Sequence, residues 1–155
     1  MLARLGFTTT ARRLAPEISR MNKYGPYVTK AIEGEIAIAE RRHSQARALL
    51  YDVLKGTRRQ GRQEFLTASQ MLARLLETDG QLTEAITLLE DAEGERLKND
   101  SWLWLEIEEQ LARVYRKAGR TADAARIESQ LRRLLACADP DHPSLRRLYP
   151  YAQPR

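Results

Sequence analysis

The side chains with the most reactive potential are the glutamates Glu106, Glu108 and Glu109, the histidines His43 and His142, and the single cysteine Cys137. Acid–base catalysis would need two of those carboxylates to converge on one point. Successive residues of a helix turn by about 100°, so the three glutamates spread around the axis and read as a solvated face. Neither histidine sits near a cysteine or carboxylate in a recognisable motif. No HExxH, CxxC, Gly-rich phosphate loop or GxSxG occurs, so the spacings that hold a metal, a phosphate or an activated nucleophile are missing. The expectation is a protein that is not an enzyme, with no catalytic residues, cofactor or metal. His43, at a turn among arginines, reads as exposed and structural. Cys137 cannot close an internal disulfide and reads as a small apolar residue near the end of the last strong helix.

Binding chemistry has more to work with. Trp102 and Trp104 lie two apart in SWLWLEIEEQLARVY and cannot point the same way on a helix. One is expected to pack beside the Leu103, Ile107, Leu111 and Val114 face, leaving the other as a rigid anchor for a partner; core packing of both is the alternative. The net charge of +5 is also uneven: residues 1–62 hold 13 Lys/Arg against five Asp/Glu, and residues 63–155 hold 13 against 16. Arg41, Arg42, Arg47, Lys55, Arg58, Arg59 and Arg62 gather around one hairpin and its exit loop, a pattern that could bind phosphate backbones. The interleaved aromatics of single-strand recognition are absent, because Tyr51 and Phe65 stand alone within helical faces.

The elements that position these groups repeat. Ala46, Ala85 and Ala124 fall 39 residues apart in the phrases SQARALLYDVL, LTEAITLLEDA and TADAARIESQL. Twelve residues before each lies a small residue, Gly34, Ala73 or Ala112, that lets two helices approach closely. A fixed period in this range marks a solenoid of stacked helix hairpins. Between the small residue and the alanine lie the turns Thr78-Asp79-Gly80 and Lys117-Ala118-Gly119, where glycine closes one helix and Thr83 or Thr121 is placed to cap the next. The first turn, Arg41-Arg42-His43-Ser44, lacks the glycine. Periodicity and breakers (Gly25-Pro26, Lys55-Gly56-Thr57 with Gly61, Asn99-Asp100-Ser101) predict helices at about 10–22, 27–41, 44–56, 62–79, 82–97, 101–118 and 121–137.

These residues resemble the tetratricopeptide repeat (TPR). The third unit matches through Leu111, Ala112, Tyr115, Gly119 and Ala124, the second through Leu72, Ala73, Leu76, Gly80, Ala85 and Ala92, and the first through Gly34, Ala37, Ala46 and Val53. The period exceeds the family's usual ~34 residues, and the excess is expected in longer second helices and in connections such as Glu93 to Ser101. The resemblance implies an all-α, right-handed superhelical array of about three hairpins plus an N-terminal helix. Its inner groove would be lined by Thr67, Gln70, Arg74, Glu77 and Thr78 and by Glu106, Glu109, Arg113, Arg116 and Lys117. The basic members would draw an acidic peptide or partner surface; pairs such as Glu109 with Arg113 or Arg116 are the competing use of the same charges. The Lys/Asn arrangement with which family members clamp the C-terminal carboxylate of chaperones is absent.

The chain is thus expected to form one repeat domain over 1–137, with repeats at about 27–56, 62–97 and 101–137, an extra helix at 10–22 and a tail over 138–155. Leu14, Ile18 and Met21 recur at helical spacing and are placed to cap the open end of the stack. Leu145 and Leu148 are placed to fold back on the last pair. The tail segment LLACADPDHPSLRRL is similar to the closing part of TPR arrays at the C-termini of bacterial multidomain signalling proteins, which opens the reading of a fragment or detached relative of such an array. With 30% charged residues, a mean hydropathy of −0.55 and no run of ~20 apolar residues, no membrane association is expected. The first sixteen residues carry three arginines and no acid, which suits either a transit peptide or a helix of the array; a cytoplasmic location is the favoured expectation. Function is expected to be that of a protein-interaction scaffold or adaptor in signalling. Nucleic-acid binding through residues 41–62 and homo-oligomerisation through repeat ends are the alternatives.

Overall fold

The computed structural model describes residues 8–21, 23, 25–58, 62–95, 102–139, 142 and 144. They form α1 (Thr8–Met21), α2 (Gly25–Ala39), α3 (His43–Thr57), α4 (Arg62–Thr78), α5 (Leu82–Gly94), α6 (Trp102–Lys117) and α7 (Thr121–Leu134), with no strand among the described residues. Each helix packs on the next, and the first helices also pack on one another, α2 on α4 and α4 on α6. Hairpins stacked through their first helices are the arrangement that a repeat with a one-sided apolar face requires.

The 39-residue register is the register of the core. Ala46, Ala85 and Ala124 are buried, as are Gly34, Ala73 and Ala112. At Gly34 a Cβ would stand 3.1 Å from Leu50 Cδ2, so the small residue is what lets α2 lie against α3. Leu50, Leu72, Leu76, Leu89, Ile107, Leu111, Ile127 and Leu131 fill the interior. The extra length of the period does not lie in the second helices, which have 15, 13 and 14 residues against 15, 17 and 16 for the first helices. It lies in the first helices and in the links between hairpins.

All three intra-hairpin turns are the same Schellman turn. The amides of Arg42, Gln81 and Arg120 donate to the carbonyls of Ala37, Leu76 and Tyr115 at 2.8, 2.9 and 2.9 Å, and the preceding amides of Arg41, Gly80 and Gly119 reach Ile38, Glu77 and Arg116. Gly80 and Gly119 hold φ of +76° and +78°; Arg41, one period earlier, is forced to +59°. The first turn therefore keeps its geometry without its glycine, at a cost of ~1 kcal/mol for a residue carrying a Cβ. The next helices do not use threonine caps. Their N-cap residues are Arg42, Gln81 and Arg120, none with a side-chain capping bond, while Thr83 and Thr121 already lie inside α5 and α7. The turn holds the helix start through its backbone instead.

Helix α1 joins the stack through alanines. Ala11 is buried against α2 beside Ile36 and Ala15 is buried as well, whereas Leu14 and Ile18 are only partly covered. Thr29 donates to the Ala15 carbonyl at 3.0 Å and Arg12 reaches Glu40 at 2.7 and 3.0 Å. Cys137 lies beyond α7 and is exposed, contrary to the buried place expected of it, because α7 ends three residues earlier than predicted. Leu145 and Leu148 lie outside the described residues. No helix among the described residues is long and apolar enough to cross a membrane.

Candidate functional site

The groove residues predicted on α4 and α6 come together along the seam between those helices. Gln70 is buried and donates to Glu106, and Arg74 lies 3.7 Å from the same carboxylate. One turn further, Arg113 donates from Nε and Nη2 to both oxygens of Glu77 at 2.9 Å, and Lys117 Nζ meets Glu77 at 2.7 Å. The result is a ladder of charged rungs joining two repeats, 32 to 40 residues apart in sequence. Arg116, on the other flank of α6, turns to α7 and donates from Nε to Glu128 at 2.7 Å, with Arg132 3.7 Å from the same acid.

Two of these rungs share an unusual construction. The Glu77 side chain is 7% exposed, while Arg113 and Lys117 above it are 46% and 53% exposed; a buried carboxylate is roofed by two solvent-facing cations. Burial by itself pushes the Glu77 carboxyl upward, but hydrogen bonds from Arg113 and Lys117 outweigh it and hold the group below its usual 4.5. Glu128, 9% exposed under Arg116 and Arg132, repeats the pattern. The C-terminal end of α6 therefore shows three cations, Arg113, Arg116 and Lys117, to solvent over two sunken anions, and Arg132 of α7 adds a fourth charge beside Glu128. That end of a helix dipole favours cations, which helps to seat them.

Glu128 and Arg132 were not singled out from the sequence, although the register contains the signal for Glu128. Position 128 follows Leu89 by one period and Leu50 by two, and both leucines are fully buried. A glutamate in a core position has to recruit cations. The carboxylate cluster of α6 also departs from expectation: Glu108 is 1% exposed, so it is not part of a solvated face. Its neighbour Gln110 is equally buried, and neither of its amide atoms has a hydrogen-bond partner among the described residues. Glu109 is half-buried and adds to the field that keeps Arg113 charged, yet the direct partners of Arg113 and Arg116 are Glu77 and Glu128. Trp104 is half-buried; the Trp102 side chain lies outside the described residues. Leu103, Ile107, Leu111 and Val114 are all buried. Among the described residues no cluster of His, Cys, Asp and Glu could hold a metal ion.

The basic residues proposed for nucleic acid are arranged differently. Arg42 pairs with Glu40, Arg47 with Asp79 and Gln81, and Arg58 with Asp91 at 2.8 Å. His43 lies 3.7 Å from Asp79. Tyr51 donates to Glu84 on α5, and further along α5 Glu90 receives Tyr115 at 2.6 Å and Arg120 at 3.1 Å. Burial, reinforced by that Glu90 bond, pushes the Tyr115 hydroxyl up to about 12. Arg41 and Lys55 are exposed. Arg59 and the side chain of Arg62 lie outside the described residues. Of the described basic residues, Arg47 and Arg58 pair with acids of the second repeat and Arg42 with an acid of the first, while Arg41 and Lys55 face solvent.

Two solved structures share this arrangement, both of the nearly identical TPR-like repeats of a Podospora anserina kinesin light chain candidate, one carrying a single substitution. They superpose with TM-scores of 0.68 and 0.64 over 96% of this chain and 80% and 81% of theirs, at 20% and 19% identity. The fold is a TPR-like helical repeat. Neither a family model nor a curated protein matches the sequence. In this TPR-like array the seam between α4 and α6 belongs to the first helices, the set that the resemblance assigns to the inner groove.

Proposed function

We propose that this TPR-like array is a non-catalytic interaction scaffold that receives a peptide or partner subunit on its first-helix face. The contact residues are Arg74, Glu109, Arg113, Arg116 and Lys117, held from beneath by Gln70 and Glu77, with one of Trp102 and Trp104 as the anchor. A carboxylate-bearing segment suits the C-terminal end of α6, since Arg113, Arg116 and Lys117 present half-exposed charge there from fixed positions. The observation that carries the reading is the Glu77 rung, in which the cations face outward and their counter-ion lies beneath. Cations already held in place lose less conformational entropy when a ligand arrives.

The test is affinity capture from lysate of the source organism with and without nuclease. A specific protein retained after nuclease supports the scaffold. Recovery of nucleic-acid-associated proteins alone, lost with nuclease, would replace it with binding through the basic first half.

A further inference from the structure

We infer that Glu77 is a built-in competitor for the partner's carboxylate, so that the groove discriminates between acidic segments by whether they can displace or share the Arg113–Lys117 pair. This rests on the scaffold reading above and specifies how that site is regulated.

The geometry is that of an intramolecular ligand. Both bonds from Arg113 to Glu77 use its Nε and Nη2 edge, and Lys117 meets the same carboxylate from a position one helical turn on. Two cations bond directly to the one carboxylate of Glu77, with Glu109 adding only its field at Arg113, and the cations are far more exposed than the acid. An incoming carboxylate can therefore approach from solvent without unfolding anything. It meets the Nη1 edge that Glu77 does not use and an ammonium with further N–H groups to give. Glu77 opposes it twice, by holding the donors and by like-charge repulsion at close range. A single isolated acid gains little under these terms, whereas a segment with two acids close together can engage Arg113 and Lys117 separately. The wild-type groove is thereby set to reject stray carboxylates and accept clustered ones.

A surface pair away from the α4–α6 seam supplies the control. Asp91 on α5, paired with Arg58 at the end of α3, is 46% exposed, and its neutralisation changes net charge by the same amount. The measurement is fluorescence anisotropy with a fluorescein-labelled peptide of clustered glutamates, at low and moderate salt, on the full chain and its variants, each checked for folding by circular dichroism. Glu77→Gln keeps a hydrogen-bond acceptor beneath the cations and is expected to tighten binding roughly tenfold at low salt, with the gain shrinking as salt rises. Asp91→Asn is expected to leave binding within twofold of wild type. Equal gains in Glu77→Gln and Asp91→Asn would reduce the effect to net charge and overturn the inference. Unchanged affinity in Glu77→Gln, with binding lost in Arg113→Gln/Lys117→Gln, would overturn it too while leaving the groove assignment standing. Binding that survives Arg113→Gln/Lys117→Gln, or that appears in no variant, would overturn both.

Discussion

The two charged ladders of this array use the same residue types to different ends. On the outer side, Arg47 with Asp79 and Arg58 with Asp91 each match one arginine to one acid, the first pair part-buried and the second at the surface. Beside α6 the acids Glu77, from α4, and Glu128, from α7, are sunken, and each carries two cations above it. One-to-one pairing leaves nothing for a partner to read, while two-to-one pairing leaves oriented charge at the surface. Location in the stack alone would not have separated them; the stoichiometry and depth of the acid do.

The largest disturbance comes from beneath both ladders. Leu72→Ala, in a fully buried position of α4, is expected to cost about 2–5 kcal/mol, read as a lowered Tm at which both ladders still melt together. A mutant that melts only one end of the array would contradict the single continuous core. Next, Glu77→Ala should cost about 1–2 kcal/mol, because it removes the shared acceptor of two cations at the α4–α6 seam. That cost should depend on pH in one direction. The Glu77 carboxyl is held below 4.5 when folded, so its contribution is present above that value and disappears as pH falls through the depressed folded value. Wild type and Glu77→Gln should thus converge in stability as the pH falls further below 4.5 and diverge at neutrality; a constant gap would break the comparison.

Arg41→Gly supplies a gain instead of a loss. It relieves the only positive φ of a non-glycine residue among the described residues and should stabilise by ~1 kcal/mol, a rise of roughly 2–4 °C in Tm. The smallest effect belongs to the outer ladder, where Asp91→Asn should move Tm by less than about 2 °C. A larger shift there would show that exposed pairs carry the superhelix after all.

The register was legible because burial repeats: Ala46, Ala85 and Ala124, with Gly34, Ala73 and Ala112, mark packing positions that tolerate nothing large, and so they recur in the letters. The ladders were not legible in the same way. Sequence reasoning pairs charges at helical spacing on one helix, four or seven residues apart, which pointed Arg113 and Arg116 to Glu109. Their actual partners lie 36 and 12 residues away, distances set by how repeats stack. Arg41 was hidden for the opposite reason, since its backbone follows the turn of its equivalents while its side chain gives no sign of it. Glu128 could have been found by laying it against Leu50 and Leu89. Thr83 and Thr121 misled because a Schellman turn followed directly by the next helix leaves no room for a separate capping residue.

The claim that matters most is that the first-helix ladder binds a partner and the outer one does not. Quantitative capture from lysate with three folded baits, wild type, Arg113→Glu/Lys117→Glu and Arg47→Glu/Arg58→Glu, tests it most directly. A specific protein held by wild type and by the outer variant but lost from the inner one is the predicted result. The same protein lost from the outer variant and kept by the inner would contradict the account.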